Sequence, residues 1–105
     1  MAKKNAVRVT PSTGNVFRDL GFSREESEHL LVRADLLIQV QKAIASRGLK
    51  QAAAAKVLRV TQPRVSDLLR GRIDLFSTDA LIDMLARLGV GVRLVVRSAK
   101  SRKVA

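Results

Sequence analysis

From Leu30 onward, apolar side chains return at three- and four-residue steps: Leu30, Leu31, Ala34, Leu37, Ile38, Ile44 and Ala45, with Gln41 in the same register. That period predicts a helix with one apolar face, either continuous or bent into two, ending at Gly48. Its start is marked by Ser23-Arg24-Glu25-Glu26, a capping box in which Ser23 caps the Glu26 amide and Glu26 reaches back. Lys50 to Leu58 then reads as a short Ala-rich helix, small enough in side chain for another helix to approach closely. After a tight turn at Arg59-Val60, Thr61 reads as an N-cap. Pro63 sits in the first turn of the helix that follows, where its missing N–H costs nothing. That helix runs to Arg70 and stops at Gly71. The next begins near Ser77 or Thr78, turns Leu81, Met84, Leu85 and Leu88 inward, and ends at Gly89.

Beyond Gly89 the period changes. Val92, Leu94 and Val96 alternate with Arg93, Val95 and Arg97, which is the two-residue repeat of a strand. It is the only strand the pattern predicts, so it has no partner inside the chain. Pairing with a second copy would satisfy its backbone, which makes Val92, Leu94 and Val96 the candidate dimerisation residues. Residues 1–15 mix Lys, Pro, Ser, Thr, Gly and Asn without periodicity and read as a flexible basic arm. Residues 98–105 read as a basic tail. The expected fold is therefore all-α: four to five helices and one C-terminal strand over residues 16–97.

Composition narrows the class. With 105 residues, 47% of them hydrophobic, the chain supports one domain and not full-length disorder. It has no Cys, which excludes disulfides and thiolate metal sites and fits a reducing cytoplasm. No apolar run approaches a membrane span, and Lys3-Lys4 is followed by no apolar segment of the kind a signal peptide needs.

Charge changes the picture more. The formal net charge is +11, which calls for a polyanionic partner. It is unevenly spread: Lys50, Lys56, Arg59, Arg64, Arg70 and Arg72 stand against Asp67 alone, while acids (Asp19, Glu25, Glu26, Glu28, Asp35) gather in residues 19–35. The basic segment is also the one that reads as helix, turn, helix. Reading DNA in the major groove needs a slim helix with polar groups on its leading turn. The helix from Gln62 offers Gln62, Arg64 and Asp67, while Val65, Leu68 and Leu69 are expected to face inward. Gln can bond adenine bidentately, Arg guanine, and Asp can accept from cytosine N4. Asp67 can equally orient Arg64 or Arg70, or lie on a plain surface. Arg59, Arg70 and Arg72 flank the helix and suit phosphate.

Leu49-Lys50-Gln51 through Ala55, Leu58, Val60-Thr61-Gln62-Pro63, Val65-Ser66 and Leu69-Arg70-Gly71 resembles the XRE (lambda-repressor-like) helix-turn-helix family. Asn15 to Phe22 ahead of a long helix, Thr61 to Ser66, and Leu75-Phe76-Ser77 look like its HigA-type antitoxin subgroup. The resemblance implies a homodimer bound specifically to double-stranded DNA at a palindromic operator. Its base-reading positions fall on Gln62, Pro63, Arg64 and Asp67. Its backbone-contacting Gln at the start of the second helix falls on Gln51; Lys50, Arg59, Thr61, Arg70 and Arg72 complete the candidate backbone contacts by charge and position. Two residues depart from the pattern: Lys50 stands where a Thr or Ser cap is usual, and Arg59 replaces the usual turn glycine. The subgroup further implies a small basic RNase-type toxin as partner, for which the acidic residues 19–35 would suit. A free-standing or phage-derived repressor without a toxin, and a non-specific nucleoid protein, are the alternatives.

An enzyme is not expected. His29, the only histidine, has no ligand-spaced neighbour, and Glu25, Glu26 and Glu28 are explained by the dipole of a helix start. No glycine-rich phosphate loop follows a strand. Without Trp or Tyr, aromatic stacking on single strands is poorly provided for. No cofactor and no metal are expected, and the location implied is the cytoplasm, on the nucleoid.

Overall fold

The computed structural model of the chain describes residues 6–9 and 20–96. In order they form β1 (Ala6–Val9), α1 (Arg24–Ser46), α2 (Gln51–Leu58), α3 (Gln62–Leu69), a 3-10 turn (Ile73–Leu75), α4 (Thr78–Arg87) and β2 (Gly91–Leu94). The long apolar period is one continuous helix, α1, and not two. Its capping box is in place: Ser23 N–H donates to Glu26 Oε1 at 3.0 Å, and Glu26 N–H donates to Ser23 Oγ at 3.1 Å. The backbone hydrogen bond from Ser23, helped by its hydroxyl, holds the Glu26 carboxyl below its usual range. This cap is therefore present above the ordinary Glu pKa and is lost as pH falls through the lowered one.

All four helices end in the same way. After α1, Gly48 N–H donates to Ala45 O at 3.0 Å and Leu49 N–H to Ile44 O at 3.2 Å. This is a Schellman motif, which needs a left-handed residue at its pivot. Gly48, Gly71 and Gly89 fill that place after α1, α3 and α4, with φ of 63°, 78° and 79°. After α2 the pivot is Arg59, at φ 60° and ψ 42°.

One core joins the helices. α1 contributes Leu36, Leu37, Val40 and Ile44, α2 contributes Ala54 and Leu58, and α3 contributes Val65 and Leu68. Phe76 and four residues of α4 and its cap close it: Leu81, Met84, Leu85 and Leu88. Two polar side chains brace the α2–α3 pair. Gln41 of α1 donates from Nε2 to Leu68 O at 2.8 Å, and Arg87 of α4 donates from Nη1 to Leu58 O at 3.2 Å. Each adds a side-chain donor to a carbonyl in the last turn of a helix, where the intrahelical partners run out; on Leu68 O it joins the N–H of Gly71.

The strand expectation is corrected. β2 is not alone: β1 pairs with it in parallel, in the register Ala6–Gly91, Val7–Val92, Arg8–Arg93 and Val9–Leu94. Ala-Val-Arg-Val is too short to show a period, and its partner lies beyond all four helices, so local patterning could not reveal it. Residues 6–9 are thus a strand within what the sequence presents as a flexible arm. The rest of that arm, Arg97 and the tail at 98–105 lie outside the described residues. Leu69, expected to face inward, is instead exposed, because the inward stripe of α3 is only as wide as Val65 and Leu68.

Ser27, in the first turns of α1, is buried, and its hydroxyl finds no partner among the described residues. Ser27→Ala is expected to raise the unfolding free energy by about 1 kcal/mol, read as a higher urea midpoint at unchanged slope. An unchanged or lower midpoint would show that the hydroxyl is satisfied in solution.

Candidate nucleic-acid interface

α2 and α3 are each eight residues long and pack on one another through Ala54, Leu58, Val65 and Leu68. Thr61 starts α3, its hydroxyl oxygen accepting from Arg64 N–H at 3.4 Å, with Pro63 in the first turn. At about 100° per residue, Val65 and Leu68 turned inward leave Pro63 and Arg70 at the centre of the outward face. Ser66 and Asp67 flank that centre, and Gln62 stands at its leading edge. Burial agrees: Gln62, Pro63 and Arg70 are exposed, and Ser66 and Asp67 are half-buried. Ser66 was not singled out from sequence because its small hydroxyl gives no pattern, yet a hydroxyl can bond either base of a pair.

Arg64 is placed differently. It lies on the flank of α3, half-buried, with its Nη1 donating to Leu75 O at 3.0 Å. Its guanidinium carbon sits 4.3 Å from the centroid of the Phe76 ring. Nothing in the sequence period joins Arg64 to Phe76, since the contact crosses the 3-10 turn.

The candidate phosphate contacts are all exposed: Lys50, Gln51, Arg59, Thr61, Arg70 and Arg72. Lys50 occupies the N-cap of α2 without a side-chain capping bond, which leaves its ammonium unused by the helix. Of the candidate dimerisation residues, Val92 packs against the protomer's own core, while Leu94 is 51% exposed and Val96 91% exposed.

A family profile described as a helix-turn-helix domain matches residues 16–97. The chain is also similar to a solved structure named for the XRE family of transcriptional regulators. The two share 30% identity and superpose with a TM-score of 0.67, over 76% of this chain and 90% of that one. The chain belongs to the helix-turn-helix proteins of the XRE type. A comparison with curated proteins finds no match. In this helix-turn-helix protein the motif's second helix is α3, and its turn is Arg59-Val60. Among the described residues no group of three or more His, Cys, Asp or Glu could hold a metal ion, and no helix is long and apolar enough to cross a membrane. His29 lies exposed on α1.

Arg59 gives the motif a feature of its own. A non-glycine residue in the left-handed region costs roughly 1–2 kcal/mol against the ordinary helical conformation, a penalty glycine escapes. The other three helix ends use glycine, so among the described residues Arg59 is the one non-glycine side chain in the left-handed region, and it is exposed. Arg59→Gly is expected to raise the unfolding free energy by about 1 kcal/mol while weakening duplex binding and lowering its salt slope by about one. A variant both more stable and equally tight on DNA would remove Arg59 from the phosphate contacts.

Proposed function

We propose that this chain binds double-stranded DNA sequence-specifically, as a homodimer on a two-fold symmetric operator, and regulates transcription from it. The observation that carries the proposal is the outward face of α3. Gln62, Pro63, Ser66 and Asp67 stand there, and the Gln62 and Asp67 side chains make no hydrogen bond among the described residues. The helix bearing them is braced through Leu68 O by Gln41, so its leading turn enters a groove as a rigid body. Base reading falls to Gln62, Pro63, Arg64 and Asp67, and register on the backbone to Lys50, Gln51, Arg59, Thr61, Arg70 and Arg72. A second copy would pair along the edge of β2 that β1 leaves open, covering Leu94 and Val96.

Selection from a randomised duplex pool, followed by anisotropy titration, tests this reading. The expected result is a palindromic sequence bound about 10³–10⁷-fold more tightly than a scrambled duplex. Similar affinity for both would make the chain a non-specific nucleoid protein.

The resemblance at residues 15–22 and the exposed Glu25, Glu26 and Glu28 on α1 favour a second role as the antitoxin and autorepressor of a toxin–antitoxin pair. A basic RNA-cutting toxin would meet the acidic start of α1 and leave the basic α2–α3 pair free for the operator. Growth arrest by an adjacent small reading frame, relieved by this chain with recovery of a complex, is the expected result. No arrest and no complex would leave a free-standing repressor.

A further inference from the structure

Arg64 is the candidate base reader whose side chain is already held in the DNA-free protein. Its flat guanidinium lies over the Phe76 ring, and its Nη1 is tied to Leu75 O. Both anchors are themselves fixed. Phe76 is 1% exposed within the core, and the 3-10 turn is closed by Leu75 N–H to Arg72 O at 3.0 Å and Phe76 N–H to Ile73 O at 3.3 Å.

The chemistry of this clamp leaves arginine able to read a base. The ring attracts the guanidinium charge without accepting a classical hydrogen bond from it, so of the five N–H groups the protein's oxygens take one, at Leu75 O. With one Nη1 proton on Leu75 O, the Nε–Nη2 edge still offers two parallel donors. That fork matches the O6 and N7 acceptors of guanine. An unheld arginine would lose much of its rotamer freedom on binding, so fixing it beforehand lowers what recognition costs.

We propose that Leu75 and Phe76 are positioning residues for Arg64: the turn behind α3 fixes the guanidinium before DNA arrives and so determines which guanine it reads. This rests on the assignment of α3 as the base-reading helix. It makes specificity at one base pair a property of the Leu75–Phe76 turn as well as of α3 itself.

The test uses the full chain, the best duplex from the randomised pool, its single-base-pair variants and a scrambled duplex. Phe76→Leu keeps an apolar side chain in the core but removes the ring face. It is expected to reduce preference by about twofold to fivefold at the base pair whose discrimination Arg64→Ala abolishes, the lower end of what a cation–π contact is worth. Preference at other positions should stay, and adding Phe76→Leu to Arg64→Ala should have no further effect at that pair. In the unmodified protein without DNA, ¹⁵N relaxation should show the Arg64 Nε–H nearly as rigid as the backbone, unlike that of Arg70 or Arg72. This second measurement decides the matter even where Phe76→Leu folds poorly. Arg64 as mobile as Arg72, or Phe76→Leu weakening operator and scrambled duplex by one common factor, would overturn the proposal. If Arg64→Ala left every base-pair preference intact, the base-reading role of Arg64 would itself fail, and the clamp would be a brace for the turn.

Discussion

Leu68→Ala is expected to lower the unfolding free energy by about 2–5 kcal/mol, the largest effect of any change considered in the motif. Leu68 is fully buried, at 0% exposure, and is one of only two α3 side chains that reach the core. Truncation removes the transfer energy of its apolar atoms and opens a cavity bounded by several elements that cannot all relax into it. The loss also bears on function, since the Leu68 carbonyl receives both the Gln41 amide and the Gly71 N–H. A loosened α3 end would shift the leading turn that meets DNA. Urea unfolding checks the stability effect through the midpoint at constant slope. DNA titration below the melting range then separates residual misplacement from simple loss of folded protein. A midpoint shift under 1 kcal/mol would mean that α3 is not anchored as described.

Arg64→Ala is expected to lose about 1–3 kcal/mol of discrimination at one base pair, roughly fivefold to 150-fold, with other positions unchanged. The physical reason is that a bidentate donor pair rewards a single acceptor pattern, whereas a point charge near phosphate rewards any sequence. Arg70→Ala and Arg72→Ala should therefore behave differently, weakening all duplexes alike and lowering the salt slope by about one each. Titrating each variant against the set of single-base-pair operator variants at two salt concentrations distinguishes the patterns. An Arg64→Ala profile like that of Arg72→Ala would move Arg64 to the backbone contacts.

What the sequence made legible follows from how local each signal is. The Ser23–Glu26 box, the Thr61 cap, Pro63 in the first turn and the glycines at 48, 71 and 89 act within five residues, and each stands where its chemistry predicts. The exposed leading turn of α3 was readable for the same reason, because Val65 and Leu68 fix its orientation through helical period alone. What escaped depends on contacts between distant segments. β1 needs a partner more than 80 residues away, with all four helices in between. The Gln41 and Arg87 braces end on backbone carbonyls, which carry no sequence signal. Arg64 on Phe76 needs the 3-10 turn to bring an aromatic ring under a helix flank. Arg59 was visible as an anomaly in sequence, but its meaning came from the three glycines that do the same job elsewhere.

The central claim is that the leading turn of α3 meets the bases of a duplex, and amide chemical-shift mapping tests it most directly. ¹⁵N-labelled protein would be titrated with the duplex selected from the pool. The largest shifts are expected at Thr61, Gln62 and Arg64 to Asp67, with a second set at Lys50–Gln51 and Gly71–Arg72, while the acidic start of α1 stays still. Shifts centred on α1 or on the β1–β2 pair, with α3 unmoved, would contradict it.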